Sequence, residues 1–332
     1  MKHRLPILSA MLLGIVGAVV AGVMNAHSTK GQRAGGDAPA FAAAPFATAP
    51  ATQGVVLASA EAPLPAAPGV PQAVDLVRRS IDQLALFETI SAKIRFHGNL
   101  VGHSLSGTGQ YLQSGHAPIR VRMELKTPVG DDVCTLQQIG DGNALWIRRT
   151  MPGSVRLGHV DVARVLAARE ARRAAAPPAP GAPTKELAIG GLPLLVDGVR
   201  RSFDLQTVQP ATVGAKVPAY KVSGMLNAAM LAQLLPEQKP PAEPGQPPNL
   251  KALPVQAPTH VELYIGADDL FPYKLDFKRI VDGKTSLDEA ETMYSVEFYD
   301  VQRNIALDPV QFVYQPGETV PTDDTDVFIS RQ

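Results

Sequence analysis

The sequence predicts an α+β fold in which one large antiparallel sheet, a meander of strands, is covered by helices. Three observations lead to this prediction. Apolar and polar residues alternate with period two in segment after segment, turn signals such as Asp141-Gly142 separate consecutive segments, and only three amphipathic stretches have helical spacing. The fold would occupy residues 73–332, about 260 residues, which suits one large antiparallel sheet or at most two domains.

Residues 1–25 have the layout of an export signal. Lys2 and Arg4 precede a stretch, 5–24, that contains no charged side chain. A helix of this length spans about 30 Å, enough to cross a bilayer. We favour an uncleaved transmembrane anchor, because Met24 stands where a cleavage site needs a small residue; cleavage farther along is the alternative. The protein would then be anchored in the inner membrane facing the periplasm, or periplasmic if cleaved.

Residues 26–72 are dominated by Ala, Pro, Gly and Thr, with almost no charge or periodicity. Such a composition cannot bury a core, so the segment is predicted to be a disordered tether. Two similar stretches, at about 174–185 and 236–258, interrupt the body. They are predicted to be disordered surface loops, because the segments on either side are equally rich in strands.

The strands are predicted from alternation. In residues 119–126, Ile119, Val121, Met123 and Leu125 would point to a dry face and the intervening charged residues to water. The same pattern occurs at 92–100, 260–266, 273–280 and 294–301. Turn signals at 140–143 and at Asp282-Gly283 would join neighbouring strands, giving an antiparallel meander.

Three helices are predicted. Residues 74–90 have one apolar stripe and would lead into the sheet. Residues 161–175 begin with Asp161 at the position of an N-cap, and 192–203 carry Pro193 near their start, where proline is tolerated. We expect the second and third helices to lie across the sheet as lids.

Charge and cysteine content exclude several classes of protein. Lys plus Arg total 31, as do Asp plus Glu, so the net charge is zero and argues against a nucleic-acid partner. The single cysteine, Cys134, excludes an intrachain disulfide and a lipid-modified cysteine directly after the signal. We interpret it as a small buried hydrophobe in a strand.

No motif of a catalytic or metal site is present. The histidines lack metal-ligand spacing, and no glycine-rich phosphate loop opens a helix, so neither a metal nor a cofactor is expected. Residues 102–107, GHSLSG, lack the second glycine of a nucleophile elbow and are interpreted as a tight turn. The acidic run 322–326 is interpreted as solvated. Trp146, the only tryptophan, is interpreted as a core or rim anchor rather than a ligand platform.

Two segments resemble a known family. In residues 135–150, TLQQIGDGNALWIRRT, a strand ends in Asp-Gly and the next carries Leu-Trp-Ile. This resembles the D-G-x-x-L-W hairpin of the periplasmic lipoprotein-carrier (LolA/LolB-like) superfamily. Residues 307–320, LDPVQFVYQPGETV, resemble the closing F-x-F/Y-x-P-P-x-G-x-x-V segment of that superfamily, with Phe312, Tyr314, Pro316, Gly317 and Val320 at its positions.

The resemblance implies a strongly curved antiparallel sheet, a half-open β-barrel, whose apolar concave face is covered by helices, with acyl chains bound between sheet and lid. It also implies an arginine that locks the lid to the sheet, for which Arg200, Arg201, Arg164 or none of them are the options. Two features differ from the family: aromatic residues make up only 5% of the chain, and the chain is predicted to be membrane-anchored rather than freely diffusing.

Our leading hypothesis is a monomeric, non-enzymatic envelope protein that binds a lipid, an acyl chain or a lipoprotein in an apolar cavity beneath the lid. The alternative is a structural or interaction protein of the envelope with a filled core. An envelope hydrolase would need a nucleophile and a base in contact, and the sequence offers no such pair. The candidate ligand-binding residues, for each of which core packing is the alternative role, are Leu192, Leu195 and Phe203 of the lid and Phe96, Met123, Trp146, Phe277 and Phe298 of the sheet.

Overall fold

The computed structural model describes residues 72–100, 103–116, 118–175, 187–214, 216–235, 253, 257–280, 290–315 and 317–330. The predicted export segment 1–25 and all but the last residue of the predicted tether 26–72 lie outside these ranges. So do most of the two predicted loops, 174–185 and 236–258. No helix in the described part of the chain is both long and apolar enough to span a membrane.

Strands dominate the described chain, and the helices are few. The strands are β1 (Thr89–Leu100), β2 (His103–Ser114), β3 (Arg120–Val129), β4 (Asp132–Gly140), β5 (Ala144–Met151), β6 (Ser154–Asp161), β7 (Phe203–Val213), β8 (Val217–Leu226), β9 (His260–Gly266), β10 (Pro272–Arg279), β11 (Glu291–Arg303) and β12 (Thr322–Asp323). The helices are α1 (Ala73–Leu86), α2 (Val162–Ala175), α3 (Leu187–Ser202), α4 (Ala228–Leu234) and α5 (Thr325–Ser330), with a 3₁₀ turn at Pro309–Phe312.

All twelve strands form one curved, open sheet in the order β12-β6-β5-β4-β3-β2-β1-β11-β10-β9-β8-β7. Every pairing is antiparallel except that of β12 with β6, which is parallel. Strand neighbours are mostly sequence neighbours, as expected of a meander. There are two exceptions: β1 lies between β2 and β11 and so joins the first and last parts of the body, and β12 pairs with β6. The two ends of the sheet, β12 and β7, do not pair with each other, so the sheet stays open.

The alternation of apolar and polar residues predicted the positions of these strands correctly. In β3, Val121, Met123 and Leu125 are buried while Arg122 and Glu124 are half-buried, as predicted. The five strands named from the sequence each correspond to one observed strand, and His260–Gly266 agrees at both ends. The predicted turn at 140–143 connects β4 and β5, where Asp141 Oδ1 accepts the amide hydrogens of Asn143 and Ala144. The predicted Asp282-Gly283 turn lies outside the described residues.

Two predicted helices end elsewhere than expected. The first ends at Leu86 instead of residue 90, because Phe87 already has extended backbone geometry and Ile90 belongs to β1. The second begins as predicted, with Asp161 Oδ1 accepting from the Arg164 amide. The third prediction matches the start of the continuous part of α3, which follows a kink at Gly191, although α3 as a whole begins at Leu187. Its end was wrong by one residue: α3 ends at Ser202, so Phe203 is the first residue of β7 and not part of a lid helix.

A kink divides α3. Gly191 has φ 64° and ψ −162°, a left-handed conformation in which a side chain would be strained. A Cβ there would also come within 2.3 Å of Gln113 Oε1. Pro193 follows two residues later, near the start of the continuous helical part, where its missing N–H breaks no helical hydrogen bond. Glycine is therefore required for the helix to approach the sheet at this point.

Candidate functional site

The sheet has an inner face, defined here as the one that α1 and α3 cover, and an outer face. Cross-strand register assigns each residue to one of them, since directly paired residues of an antiparallel ladder share a face. The inner face is apolar across its centre. One of its rows runs from Phe298 of β11 to Ile94 of β1 and Gly109 of β2, and on to Leu125 of β3 and Leu136 of β4. The helices therefore meet an almost continuous hydrocarbon surface.

Two helices cover this face. Helices α1 and α3 pack against each other, α3 crosses β3, β4 and β7, and α1 also reaches β7. The buried side chains Leu76, Val77 and Leu84 of α1, with Val196 and Val199 of α3, belong to the same hydrophobic core as the inner face. The prediction that helices lie over the sheet is confirmed for α3. The second predicted lid, α2, lies instead at the β5–β6 end of the sheet, where it packs on α5.

One polar contact ties α3 to the inner face. Gln113 Oε1 of β2 accepts two hydrogen bonds, from the Tyr111 hydroxyl at 2.6 Å and from the Leu192 amide at 3.1 Å. All three residues are buried. Gln113 thus caps the continuous part of α3 directly after Gly191. Burial raises the pKa of the Tyr111 hydroxyl, so this group stays a protonated donor at physiological pH.

The lid residues predicted from the sequence occupy different environments. Leu192 is fully buried against the sheet, while Leu195, on the same helix, is half-buried. Phe203 is 5% exposed in β7, and its ring centroid lies 6.1 Å from that of Phe277 on β10. Leu195 and Phe277 are therefore the candidates that keep accessible surface.

The predicted sheet residues divide in a similar way. Phe96, Met123 and Phe298 lie on the inner face and are 1%, 1% and 2% exposed, so each is surrounded by neighbouring side chains. The ring of Phe96 lies over Gly107, where a Cβ would approach it to 2.5 Å. Glycine in β2 thus makes room for a phenylalanine of β1. Phe277, also on the inner face, is half-buried.

The placement of Trp146 in the cavity was wrong. Trp146 pairs with Ile139 of β4 and His159 of β6, whereas its neighbours Leu145 and Ile147 are buried on the inner face. Because side chains alternate along a strand, the indole points to the outer face. It stacks on Tyr314, with centroids 5.1 Å apart and planes 19° from parallel. The interpretation of Trp146 as an anchor fits this position, since it holds the C-terminal segment.

That C-terminal segment crosses the outer face as a strap, residues 305–324. Phe312 is 1% exposed and lies under the guanidinium of Arg120, and Arg122 donates to the Gln311 carbonyl at 3.1 Å. The strap ends in β12 at the edge of β6, and Asp324 there donates its amide hydrogen to the His159 carbonyl. The segment whose sequence resembles the closing part of the carrier superfamily therefore packs on the outer face of the sheet, opposite the helices.

None of the three candidate arginines links lid to sheet through its described ion pairs. Arg200 and Arg201 both bind Asp197 of their own helix, at 2.6 Å each. Arg164 binds Asp326 of α5 at 2.8 Å and approaches Asp323 at 3.8 Å. The hydrogen bond described between lid and sheet instead joins the Leu192 amide to Gln113. Sequence reasoning missed it because a glutamine in an alternating strand looks like any solvent-facing residue.

The outer face carries an ionic network that the sequence did not reveal. Glu262 of β9 lies between Lys278 at 2.8 Å and Lys221 at 3.6 Å, and Lys274 contacts Asp276 at 2.7 Å. Both carboxylates are nearly buried, at 6% and 3% exposure. Burial alone would raise the pKa of Glu262, but Lys278 and the other partners outweigh it and lower that pKa, so the Glu262 carboxylate stays ionised. Opposite charges on adjacent strands account for it without a ligand.

The residues that were considered for catalysis or metal binding lie in strands or make contacts that belong to the fold. Cys134 is 2% exposed in β4, as predicted, and burial raises the pKa of its thiol. Residues 103–107 lie inside β2, so the predicted tight turn cannot include them. Within the acidic run, Asp323 accepts from the Thr325 amide and Asp326 pairs with an arginine. Among the described residues, no group of three or more His, Cys, Asp or Glu is placed to hold a metal ion.

Comparison with known proteins finds similarity at the level of structure. Lipoprotein LppX from Mycobacterium tuberculosis is 12% identical over 71% of this chain and 97% of its own, with a TM-score of 0.36. A LolA superfamily protein from Nitrosomonas europaea is 9% identical over 74% and 99%, with a TM-score of 0.27. The MucA/MucB complex of Pseudomonas aeruginosa matches at 12% identity and a TM-score of 0.36, and the match spans 61% of that chain.

The superfamily that the two sequence segments resemble is thus represented among the matching structures. No protein-family model matches the sequence, and no curated protein does. With TM-scores of 0.27 to 0.36, function has to be argued from this chain's own residues.

Proposed function

We propose that this chain is a membrane-tethered protein of the cell envelope that binds an acyl chain, carried by a lipid or a lipoprotein, between the inner face of the sheet and helix α3. It acts as a monomer and as a binding protein rather than an enzyme. The apolar inner face, closed by helices instead of by strand pairing, is the observation that carries the proposal.

The way in which the inner face is closed makes it suited to opening. A closed barrel would have to break a ladder of backbone hydrogen bonds to admit a ligand. Here β7 and β12 stay apart, so α3 can move while the strand pairing is preserved. The contact that must be broken is hydrophobic packing plus the hydrogen bond from Leu192 to Gln113. Hydrophobic packing has no directional requirement, so an acyl chain can replace it.

The energy of an acyl chain is sufficient for this exchange. Each buried methylene contributes about 0.8 kcal/mol, so a chain of about 16 carbons contributes on the order of 10 kcal/mol before the costs of ordering it. Lifting part of α3 loses burial of a few aliphatic side chains at about 1.5–3 kcal/mol each and one net hydrogen bond of about 1 kcal/mol. These magnitudes are comparable, which allows reversible binding. Leu195 of α3 and Phe277 of the inner face are half-buried and so keep surface that an acyl chain would contact first.

The test is a substitution at Leu195. Leu195→Arg places a charge on the half-buried part of α3, where the side chain packs against the core from its edge, and is expected to abolish lipid retention while the sheet stays folded. Native mass spectrometry of the full chain, with organic extraction, measures lipid per protein; circular dichroism measures the sheet. Leu166→Arg is the control, because Leu166 is 47% exposed on α2. Unchanged lipid retention in Leu195→Arg would refute the proposal.

A second candidate function is that of a scaffold whose core is filled by its own helices and whose surface contacts another envelope component. The observation that favours it is the near-zero exposure of Phe96, Met123, Phe298 and Leu192, which leaves no space beside these side chains in the closed form. The two candidates differ in one measurement. A purified full chain that holds no lipid and takes up none when lipid is added would support the scaffold.

A further inference from the structure

The inner face carries one hydroxyl that the fold leaves without a partner. Thr127 of β3 alternates with Leu125 and Val129, which places it on the inner face, and it is fully buried. Its Oγ1 is out of contact with solvent and has no hydrogen-bond partner among the described residues, although Cys134 of β4 pairs with it directly. A hydroxyl therefore lies on the hydrocarbon surface where the acyl chain is proposed to bind.

This hydroxyl is unfavourable for the closed fold. A buried donor without a partner loses its hydrogen bonds to water and gains none in return. Valine has nearly the shape of threonine and would fill the position without that cost, as it does at Val121 and Val129 on the same side of the strand. Threonine at residue 127 is explained by a bound molecule that accepts a hydrogen bond.

The surroundings of Thr127 determine which acceptor fits. On the inner face its neighbours are apolar side chains and a thiol: Leu125, Val129, Leu136 and Cys134. A water molecule needs about two to four polar partners, so water bound to Thr127 would stay largely unsatisfied. An amide-linked chain would bring an N–H that also needs a partner. The carbonyl oxygen of an ester brings an acceptor and no donor, so it suits a site with a single hydroxyl.

The position of Thr127 along β3 gives the direction of the chain. Val129, the last residue of the strand, is half-buried, and residues 130–131 of the following turn are exposed. An ester at Thr127 would lie about 7 Å from this end of the strand, with its head group toward solvent. In the other direction the inner-face residues of β3 are apolar and buried as far as Val121, about 20 Å away. An extended acyl chain of about 16 carbons has this length.

From these observations we infer that the ligand is an ester-linked acyl chain whose carbonyl oxygen accepts a hydrogen bond from Thr127 Oγ1. The inference rests on the proposed acyl-chain binding and adds the linkage that is recognised and the direction of the chain. The head group emerges at the β3–β4 turn, and the chain runs along β3 toward Val121. Phospholipids and lipoproteins share the required chemistry, since both can carry acyl esters.

The experiment compares two probes that differ only in the carbonyl group: palmitoyl lysophosphatidylcholine, an acyl ester, and hexadecyl lysophosphatidylcholine, the matching ether. A lipopeptide whose N-terminal cysteine carries ester-linked palmitoyl chains represents a lipoprotein. Binding to the purified full chain is measured by native mass spectrometry titration. We expect the unsubstituted chain to bind the ester about fivefold more tightly than the ether, as for one neutral hydrogen bond. Thr127→Val should remove this preference by weakening the ester probes alone, and Thr127→Ser, which keeps the hydroxyl, should retain it.

Thr135→Val is the matched control. Thr135 follows Cys134 on β4 and is half-buried on the outer face, where it pairs with Lys126, so its substitution should alter binding of none of the probes. Thermal denaturation of the lipid-free chain adds a readout that does not depend on a ligand. Thr127→Val should raise the midpoint, because it removes a buried hydroxyl without a partner. A lowered midpoint means that the hydroxyl is bonded within the fold, and it overturns the inference.

The binding outcomes separate the two proposals. A loss in Thr127→Val confined to the lysophospholipid ester identifies a phospholipid, and a loss confined to the lipopeptide identifies a lipoprotein; either supports the inference, as does a loss of both. Equal binding of ester and ether, or an ester preference that Thr127→Val leaves unchanged, overturns the inference and leaves acyl-chain binding intact. Binding of none of the probes overturns the proposed function and the inference with it. The preference of the unsubstituted chain gives a result on its own if Thr127→Val does not fold.

Discussion

The hydrogen bonds at Gln113 provide the sharpest test of how α3 is held. Gln113→Leu keeps the approximate volume of the side chain and removes the oxygen that accepts from the Tyr111 hydroxyl and the Leu192 amide. Both donors stay buried in the closed form. Each unsatisfied buried donor costs about 1–3 kcal/mol, so with two donors the closed state should lose roughly 2–6 kcal/mol.

The loss should appear first as local opening. Hydrogen exchange followed by mass spectrometry should show faster exchange in residues 188–199 of α3, while β1–β4 keep their protection. A loss of about 2.7 kcal/mol corresponds to roughly a hundredfold increase in the population of the open form. Under the proposed function, lipid uptake should accelerate as well, because opening precedes entry. Tyr111→Phe removes one donor and leaves the Leu192 contact, so its effect should be smaller.

Gln110→Leu is the matched control. Gln110 lies on the same strand, exposed on the outer face, where it pairs with Glu124 of β3. This variant should leave exchange in α3 unchanged. If Gln113→Leu also leaves exchange in α3 at the native rate, the helix is held by packing alone and the reasoning from Gln113 is wrong.

Three further predictions test other parts of the structure. Gly191→Ala should lower the free energy of unfolding by about 2 kcal/mol or more, since the residue has positive φ and an added Cβ would clash with Gln113. Gly130 has φ 62° and no neighbour within 4 Å, so Gly130→Ala should cost only the backbone strain of about 1 kcal/mol. Thermal denaturation measures both. Fluorescence of Trp146, the only tryptophan, should not shift when lipid binds, because the indole lies on the outer face; a shift on titration would contradict that placement. Burial, aided by Lys278, lowers the pKa of His260 below its ordinary value of 6.5. The neutral imidazole therefore contributes its full share to the free energy of unfolding above pH 6.5, and that free energy falls as the pH drops below 6.5. Urea titrations at several pH values should show a weaker dependence of the free energy of unfolding on pH in His260→Gln.

The sheet could be predicted from the sequence because its signal is local. A strand with one buried and one solvated face repeats every two residues, and that period is visible in 119–126 without knowledge of any partner. The same reasoning fails where a helix and a strand compete for the same residues. Residues 87–90 have helical spacing, yet Ile90 gains more by pairing in β1 with Gln113 and Arg303, so tertiary pairing overrides local preference.

The face to which a strand residue points is harder to predict than the strand. Trp146 was expected in the cavity because it is large and apolar, but its neighbours Leu145 and Ile147 occupy the buried face and leave it the other. The alternation around it contained this information. What the sequence could not supply was the reason a tryptophan is tolerated there, since Tyr314, its cover, lies more than 160 residues away along the chain. Gln113 escaped notice for the same reason: its partner Leu192 is distant in sequence.

The two ends of α3 are held in different ways, and this asymmetry sets the direction of any opening. At the C-terminal end the chain passes from Ser202 into Phe203 of β7 without a loop, and Asn227 fixes the turn: its side chain donates to the Arg201 carbonyl at 2.6 Å and its amide to the Ser202 carbonyl at 3.0 Å. At the other end, Gln113 alone among the described hydrogen bonds joins the helix to the inner face. Helix α3 should therefore swing out from its Gly191 end about a pivot at Ser202. Such a motion uncovers β3 and β4 before β7.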